Sequence, residues 1–476
     1  MTLAVNEVSV PVDFDNTGET DMKPPVLMTG EASYKRVTTL VSRIIEAPRA
    51  PAIWYPCFFL SASLAGLLFA LIGYEVFTGV GVWGNNSPQG WGFPIVNFVF
   101  WVGIAHAGTL ISAILLLFRQ KWRTGINRFA EATTVFAVIC AGVFPAIHVG
   151  RPWLAYWLAP YPNIMGDWPN FYSPLLWDAI AVGTYTTVSV LFWYLGMVPD
   201  LATLRDRATT RLRHTVFGIL AMGWRGSAKH WKIYDRALLV IAGLATCLVL
   251  GVSSTVSTDF AVSLIPGWHE TIFPPLFTVG AIFSGFATIM FLAYPVRAIF
   301  GLKSLITDRH LDNIAKITLF FASIMLYIYL IEFFIAYYSG NPYERYVYMD
   351  WMFGPYWWAG WAMLFFNGVL PQALWFKYAR TKWWIAAPIG LFCLAGMWCE
   401  RFTIIIGSMT HDFLPSAWHH FVPTWVDYGM LAGSFGLFFT LFLLFCRFVP
   451  VVAMYEVKSI LPQSHVRLPK TAGVKI

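Results

Sequence analysis

Two ionisable side chains stand at the neighbouring ends of two consecutive apolar runs. His148 closes one run just before Gly-Arg-Pro, and Asp178 stands among the opening residues of the next run. A neutral imidazole can accept a proton, and a nearby carboxylate stabilises the imidazolium that forms. The pair therefore indicates proton-coupled chemistry, provided that the fold brings the two side chains together.

The composition predicts that this pair belongs to an integral membrane protein. Of the 476 residues, 58% are hydrophobic and only 12% are charged, whereas soluble globular proteins contain about 25% charged residues. A membrane-spanning helix needs about 20 predominantly apolar residues. Ten runs meet this requirement, and we predict an all-α integral membrane protein with transmembrane helices at 54–78, 93–118, 131–149, 174–197, 236–258, 271–298, 314–338, 351–376, 383–407 and 425–449.

Lys and Arg residues predict the orientation of these spans. They concentrate in the connections that follow the second, fourth, sixth and eighth spans, whereas the intervening connections are rich in Trp, Tyr, Pro and Gly. Because Lys and Arg collect in cytoplasmic loops, both termini are predicted to be cytoplasmic, as an N-terminal arm at 1–53 and a tail at 450–476. The net charge of +7 then requires no nucleic-acid partner.

The same topology places His148 and Asp178 near the outer face of the membrane, together with further ionisable residues. Asp259 closes the fifth span, and Arg401 lies in the outer half of the ninth. Ionisable groups inside spans are costly and usually functional, and a quinol that is oxidised must release its protons to acceptors such as imidazole and carboxylate. We therefore predict a quinol pocket with His148 and Asp178 as catalytic residues. Its further candidate residues are Arg401, Asp259, Arg151 and Trp177.

Other polar residues are predicted deeper in the membrane. His106 lies about 20 Å along the second span at a rise of about 1.5 Å per residue, and Glu332 lies in the seventh span beside several tyrosines. Two interpretations are open: buried half-paths that carry protons from the cytoplasm, or isolated polar groups that join one helix to another. The candidate proton-path residues are Glu332, His106, Tyr327, Tyr185, Thr187 and Glu75.

The sequence contains no motif for a redox metal. Its six cysteines form no CxxC or CxxCH pattern, which disfavours an iron–sulphur cluster and a covalent haem. The two histidines in or at spans, His106 and His148, are predicted at different depths, which disfavours a bis-histidine haem. The histidine-rich outer loop 411–420 has a spacing that could hold a metal, but a loop that contacts a partner is the favoured interpretation. We predict no metal site, haem or iron–sulphur cluster in this chain, so electrons must leave through a neighbouring subunit.

The residues His148-Val149-Gly150-Arg151-Pro152 resemble a motif of the polysulphide-reductase membrane-subunit family, also called the NrfD-like family. That family carries a similar Gly-Arg-Pro turn after its second core helix. Ser173-Pro174-Leu175-Leu176-Trp177-Asp178, the ten spans and the long N-terminal arm are together most similar to the larger NrfD-like, quinol-oxidising subunit of bacterial alternative complex III. The resemblance covers nearly the whole chain. One departure is His148 itself, because many relatives carry an acid at that position.

The resemblance implies an architecture, a substrate and partners. It implies two four-helix bundles at 93–258 and 271–407, flanked by the spans 54–78 and 425–449, with a quinol pocket at the periplasmic end of the first bundle. The expected substrate is a quinol, with menaquinol favoured over ubiquinol, in a bacterial inner membrane. The expected partners are a periplasmic iron–sulphur subunit, haem c subunits and a paralogous NrfD-like membrane subunit, with or without a terminal oxidase.

Two rival functions are also open. Buried charges and a weak similarity between 93–108 and 273–285 fit a secondary transporter as well, but the sequence shows no obvious pair of broken helices and the acids cluster at one face. A structural anchor for redox partners is the other rival. Only a quinol site would make His148 and Asp178 essential for turnover.

Overall fold

The computed structural model describes residues 27–30, 33–86, 89–158 and 174–464. Within these ranges the secondary structure is helical and contains no β-strand. Residues 1–26 and 31–32 of the predicted arm and residues 465–476 of the predicted tail lie outside the described part.

The α-helices of the described part are labelled in chain order. They are α1 (Tyr34–Glu46), α2 (Trp54–Thr78), α3 (Phe93–Leu117), α4 (Asn127–His148), α5 (Pro174–Arg207), α6 (Arg211–Leu220), α7 (Ala228–Ala261), α8 (Phe273–Ile299), α9 (Asp308–Tyr338), α10 (Pro342–Phe353), α11 (Trp357–Met363), α12 (Lys377–Thr381), α13 (Trp383–Phe402), α14 (Ser408–Thr410), α15 (Trp425–Phe448) and α16 (Met454–Ser459).

Nine helices of the described residues are long and apolar enough to cross a membrane. They are α2, α3, α4, α5, α7, α8, α9, α13 with its continuation to Thr410, and α15. The prediction of an all-α, multi-pass membrane protein is therefore confirmed.

Several of these helices extend beyond the bounds predicted from hydropathy. The helix predicted at 131–149 starts at Asn127, and the helix predicted to end at 197 continues to Arg207. The extensions are stabilised by a buried ion pair, in which Arg128 on α4 lies 3.3 Å from Asp200 on α5. A prediction from hydropathy places the end of a span at such charged residues. The helix itself can continue when each charged side chain has a buried partner of opposite charge.

The predicted eighth span, 351–376, is not a single α-helix. α11 is followed by a π-helix at Leu364–Val369 and by 3₁₀ turns at Leu370–Trp375. Pro371 has no amide hydrogen to donate to an α-helical pattern, which favours the change of helix type. α13 likewise passes into a π-helix at Thr403–Gly407. The protein thus contains a pair of interrupted helices, which the sequence analysis did not find because hydropathy does not reveal the hydrogen-bonding pattern of an apolar helix.

Two contacts that involve Asp side chains show where the two ends of this interrupted segment lie. Arg380 on α12 donates to Asp312 near the start of α9, with Nε 2.7 Å from Oδ1. At the other end, Asp350 on α10, which directly follows the end of α9, lies 3.1 Å from Nδ1 of His411. The segment 354–376 therefore runs from the level at which α9 ends, which we call the outer face, to the level at which α9 starts. We call the latter the basic face, after Arg123, Arg128, Arg205, Arg297 and Arg380.

The spanning helices pack in two groups. α3 packs on α4, α7 and α8, and α5 packs on α7, so that α3, α4, α5 and α7 form the first group. α8 packs on α9 and α13, and α13 packs on α11, which together form the second group. α2 lies along α15 at the periphery, where a Cβ at Gly433 would lie 2.7 Å from Cβ of Leu68. The glycine permits this close approach of two helices, as small residues do in membranes.

Candidate functional site

His148, Asp178 and Asp259 line one cavity of about 560 Å³ in the first helix group. The cavity lies toward the outer face, between α3, α4, α5 and α7, and we call it the outer cavity. Its other walls are mainly apolar and aromatic: Trp91, Ile95, Phe98, Val99, Val138, Ile139, Pro145, Val182 and Phe260. Cavities of about 300–1,000 Å³ with apolar walls and a few converging polar groups are typical of small-molecule sites. The fold thus brings the predicted histidine and two of the predicted acids to one small-molecule-sized space.

The end of α4 orients His148. Gly150 adopts a left-handed φ of 77°, which glycine tolerates without steric strain, and its amide donates to the carbonyl oxygen of Ile147 at 2.8 Å. The chain thereby turns sharply after the helix, and the His148 ring stacks on buried Trp83 with 6.0 Å between ring centroids and 8° between planes. Nδ1 of His148 is buried and has no hydrogen-bond partner among the described residues. The His148 ring therefore stands in the wall of the outer cavity with one nitrogen that has no partner in the described residues.

Asp178 and Asp259 form a carboxyl pair. They stand on α5 and α7, both line the outer cavity, and they are close enough to interact electrostatically. The Oδ1 atoms of both residues are buried and have no hydrogen-bond partner in the described part of the chain. Two neighbouring buried carboxyl groups resist ionising together, so a pair of this kind can hold one proton and take up a second.

Arg401 lies below the outer cavity rather than in its wall. Its guanidinium stacks 4.0 Å from the ring centroid of Phe277 and lies 3.2 Å from the Glu400 carboxylate. Together with His106 and Ser253, Arg401 lines a separate cavity of about 10 Å³, which is close to the minimum space for one water molecule. Val99 lines both cavities, so the small one lies directly beneath the outer one. The prediction that Arg401 belongs to the quinol pocket at the depth of His148 and Asp178 therefore differs from the structure, because the side chain packs against Phe277 and Glu400 one level deeper.

Arg151 and Trp177 do not line the outer cavity in the described structure. Arg151 is exposed, and Trp177 is 42% exposed. Consecutive residues of a helix point in directions about 100° apart, so Trp177 faces away when Asp178 faces inward. Adjacency in sequence is therefore a poor guide to membership of this site.

A column of buried polar side chains leads from the basic face into the first helix group. It starts at Glu131 on α4, whose Oε1 accepts a hydrogen bond from the Ser112 hydroxyl and whose Oε2 is buried without a described partner. One turn further, Thr134 accepts from the Thr109 amide at 2.7 Å, and Thr109 donates to Ser189 at 3.2 Å. The sequence analysis missed Glu131 because it took this residue as the first of its span, whereas α4 begins a full turn earlier.

The upper end of the column consists of Tyr185, His106 and Ser253. The Tyr185 hydroxyl donates to the carbonyl oxygen of Ala105 at 2.8 Å, and its ring packs edge-on against His106 at 4.9 Å. Nδ1 of His106 lies 2.9 Å from the Ser253 hydroxyl, while Nε2 is buried without a described partner. The column therefore ends at the small cavity beneath the outer one.

The second helix group contains its own buried polar cluster. The Tyr329 hydroxyl donates to Glu400, and the side-chain amide of Asn367 donates to the Tyr329 oxygen at 3.0 Å. Glu332 is buried, and Glu400 and Glu270 are among its acidic neighbours. Asn367 and Glu400 lie in or beside the two interrupted helices, so the interruptions coincide with this cluster.

Three candidate proton-path residues lie apart from these polar groups. Tyr327 is 63% exposed on the outside of α9, and Thr187 is exposed with its hydroxyl bonded to the Gly183 carbonyl oxygen. Glu75 is fully buried on α2, and neither of its carboxyl oxygens has a hydrogen-bond partner in the described residues. The structure therefore brings only Glu332, His106 and Tyr185 of the candidate path into buried polar networks.

The histidine-rich outer loop makes protein contacts. His411 pairs with Asp350 and packs against Tyr346 and Trp418. No group of three or more His, Cys, Asp or Glu side chains in the described residues is arranged to hold a metal ion.

Glu270, between α7 and α8, makes the stability of the outer face depend on pH. Burial raises the pKa of its carboxyl from 4.5 to about 7, although a hydrogen bond from Tyr348 at 2.8 Å opposes the shift. Because the folded pKa exceeds the unfolded one, the contribution is full below about pH 4.5 and is lost as the pH rises through 7. Relative to Glu270→Gln, the wild type is expected to lose about 2–3 kcal/mol of stability over this range, measured by thermal unfolding at a series of pH values. The exposed Asp206→Asn control should follow the wild-type curve, and a parallel curve for Glu270→Gln would contradict the assignment.

Comparisons with known proteins cover the region that contains both helix groups. Residues 81–411 match the family model described as polysulphide reductase, NrfD. The chain is 24% identical over 387 residues to a selenate reductase subunit of Mesobacillus selenatarsenatis, covering 77% of this chain and 87% of that protein. It is 25% identical over 219 residues to a putative dimethyl sulfoxide reductase membrane subunit of Halobacterium salinarum, covering 46% of each. The outer cavity, the polar column and the interrupted helices all lie within the matched residues.

Proposed function

The chain belongs to the polysulphide reductase NrfD family of membrane subunits of redox complexes, and from this membership we propose that it binds and oxidises a quinol in the outer cavity. The observation that carries the proposal is the lining of that cavity. It offers about 560 Å³ of mainly apolar space, and its ionisable groups in the described residues are one imidazole and two carboxyls. Apolar walls suit the ring and isoprenoid tail of a quinol, and the three ionisable groups suit its hydroxyls.

In this proposal each ionisable group has its own role. His148 accepts the proton of one quinol hydroxyl at its unpartnered Nδ1, while the stack on Trp83 holds the imidazole ring in place. The Asp178–Asp259 pair accepts the second proton on its free carboxylate. Loss of both protons accompanies loss of two electrons, so the products are the quinone, two protons held by the protein and two electrons passed to a partner.

The electrons leave across the outer face. The cysteines of this chain provide no cluster-binding pattern, so the acceptor is a neighbouring periplasmic iron–sulphur subunit, followed by haem c subunits. The names of the relatives, a selenate reductase subunit and a dimethyl sulfoxide reductase membrane subunit, support a partner with redox centres. We assign the complex to the alternative complex III type of a bacterial inner membrane, with a paralogous NrfD-like subunit and with or without a terminal oxidase.

The topology of the proposal has ten membrane crossings. The nine apolar helices of the described part are joined by the interrupted segment 354–376, whose ends contact opposite faces of the helix layer. The basic face is taken as cytoplasmic because Lys and Arg collect on that side, which places both termini there. The outer cavity is then periplasmic, and menaquinol is the favoured substrate ahead of ubiquinol.

Filling the outer cavity should block the quinol without removing a reactive group. Gly142 and Gly183 line the cavity, and a Cβ on either residue would meet no atom within 4 Å. Gly142→Leu is therefore expected to place its side chain in the space of the ring and to raise KM for quinol about tenfold or more, the loss that corresponds to about 1.4 kcal/mol of binding. The measurement is menaquinol and ubiquinol turnover of the purified complex over a range of quinol concentrations.

Gly251→Leu provides the matched control, because Gly251 is exposed on α7 and also has open space around it but does not line the cavity. Its KM should equal that of the wild type. An unchanged KM in an assembled Gly142→Leu complex would place the quinol elsewhere.

The polar column suggests that proton translocation accompanies quinol oxidation. It connects Glu131 near the basic face with His106 beneath the outer cavity, through hydroxyl groups on α3, α4 and α5. We propose that protons enter along this column and that Glu332 and Glu400 form a corresponding site in the second group. The alternative is that these groups only join helices, and the number of protons moved per electron distinguishes the two.

The pair of interrupted helices favours a secondary transporter as the second candidate function. Discontinuous helices in related positions are typical of transporter binding sites, and here they surround Asn367 and Glu400. A transporter should turn over without a redox partner, whereas quinol oxidation requires one. Uptake of a solute by vesicles that contain this chain alone would support the transporter.

A further inference from the structure

A third cavity, of about 260 Å³, lies at the basic face, at the end of the helix layer opposite the outer cavity. It is bounded by the end of α5, the connection between α6 and α7, and α16. Arg205, Arg225 and Lys458 contribute cationic groups to its lining, and Trp224 and Trp231 contribute aromatic ones. We call it the basic cavity. Neither the family match nor the proposed quinol chemistry uses it.

The acids of the basic cavity already have partners. Asp200 accepts hydrogen bonds from the amides of Met454 and Tyr455 and pairs with Arg128. Asp206 pairs with Arg205 at 2.8 Å. The two remaining cations of the lining, Arg225 and Lys458, form no ion pair with the described residues.

Lys458 is partly buried on α16. Burial lowers the pKa of its ammonium group, and the nearby Arg207 adds to this effect while Asp200 opposes it. A cation that is held in a partly desolvated site, next to a second cation, gains most from an anion that enters the cavity. The basic cavity is therefore complementary to a negatively charged group.

Positive charge is concentrated around this cavity. The segment 205–236 contains eight Lys and Arg residues and two Asp residues, in a chain whose net charge is +7. Clusters of about 4–8 Lys and Arg directly beside a membrane span are typical of sites for anionic lipids. Trp224 and Trp231 fit the same location, because Trp is enriched where the bilayer meets water.

α6 indicates that the membrane surface reaches this region. Leu212, Val216 and Ile219 recur at helical spacing and are all exposed, which forms an apolar stripe on a helix of ten residues that also carries Arg211 and Arg213. A short amphipathic helix with basic residues lies in the plane of the bilayer interface. The Tyr194 hydroxyl donates to the carbonyl oxygen of Leu220 at 2.6 Å and holds α6 against α5. Lipid acyl chains beside α6 would place their headgroups at the level of the basic cavity.

We propose that the basic cavity binds the phosphodiester headgroup of an anionic phospholipid, with Arg225 and Lys458 as the phosphate-binding cations. The acyl chains lie along the apolar stripe of α6. The tryptophans form the wall of the cavity at the interface, and the phosphate pairs with the two cations, for which the described residues provide no ion pair. A bound lipid thereby joins α5, α6, α7 and α16 at the basic face, and this role is independent of the quinol site.

The test is a lipid titration of the purified complex in detergent. Phosphatidylglycerol is expected to raise the midpoint of thermal unfolding of the wild type in a saturable way, and phosphatidylcholine is not. In the double variant Arg225→Gln/Lys458→Gln, the phosphatidylglycerol concentration at half-saturation should rise about tenfold or more, as expected when charge-assisted hydrogen bonds to a phosphate are lost. Arg225→Gln alone removes an exposed side chain and should give a smaller rise in the same direction, which keeps the test informative if the double variant is unstable.

Lys303→Gln/Arg309→Gln is the matched control, because it removes the same charge from two exposed residues of the basic face outside the cavity. It should keep the half-saturation concentration of the wild type. An equal shift in both double variants would reduce the effect to non-specific electrostatics and overturn the proposal. A wild type that does not respond to phosphatidylglycerol would overturn it as well. Inorganic phosphate that alone reproduces the rise would assign the cavity to free phosphate and overturn the lipid assignment.

Discussion

Replacing Asp178 with Asn, or His148 with Ala, is expected to lower quinol-dependent turnover by about 100-fold or more, the loss typical of removing a general acid or base. Asn at position 178 keeps the shape of the side chain and its place beside Asp259, but it cannot take up a proton. Ala at position 148 removes an imidazole from the wall of the outer cavity, together with its unpartnered Nδ1. The measurement is quinol:acceptor turnover of the purified complex, with assembly checked by haem content and subunit stoichiometry.

The pH profile separates a chemical role from a structural one. Loss of a proton acceptor should remove a limb of the dependence of kcat on pH, whereas a packing defect should lower kcat at every pH. His269→Ala is the matched control, because His269 is exposed and lies outside the cavity, and its turnover should equal that of the wild type. Normal turnover in a fully assembled His148→Ala complex would mean that quinol binds elsewhere and that this subunit is an anchor or a proton path.

Replacing Glu131 with Gln is expected to remove proton translocation through the first helix group while quinol oxidation continues. Gln can still accept the hydrogen bond of the Ser112 hydroxyl that Glu131 accepts, so the packing of α3 on α4 is retained. It cannot carry a proton, and Glu131 is the acid at the start of the column that leads to His106. The number of protons moved per electron, measured in vesicles that contain the whole complex, should therefore fall toward the number released by quinol alone.

One further variant and two controls locate the path. Glu332→Gln tests whether protons also move through the second helix group. An unchanged proton-to-electron ratio in that variant would remove Glu332 from the path. Tyr327→Phe and Thr187→Val are controls, because both residues are exposed and lie apart from the buried networks, and neither change should alter the ratio. If Glu131→Gln also leaves the ratio unchanged, the column serves only to join helices.

The interrupted segment shows where hydropathy stopped being informative. The run 351–376 is apolar enough to be recognised as a span, but its change from α-helix to π-helix and 3₁₀ turns depends on Pro371 and on the partners of Asn367. The boundary of α4 had a similar limit. By hydropathy, Arg128 and Glu131 mark the boundary at which the span of α4 begins. Inside the protein, however, Asp200 forms an ion pair with Arg128 and the Ser112 hydroxyl donates a hydrogen bond to Glu131. Charged residues end a hydrophobic window regardless of whether the fold provides partners for them.

The sequence by itself determined the membrane class and the helical fold. Apolar run length sets which helices are long enough to span, and the position of a residue within a run gives a first prediction of its depth. Only the tertiary structure decided which ionisable groups come together. Asp178 and Asp259 meet across α5 and α7 beside His148, whereas Arg401, predicted at the same depth, lies beneath them with His106 and Glu400. The reason is physical. The approximate depth of a residue follows from the free energy of transferring its run of the chain from water to lipid. The rotation of a helix about its axis and the identity of its neighbours follow instead from side-chain packing with residues that are distant in the chain.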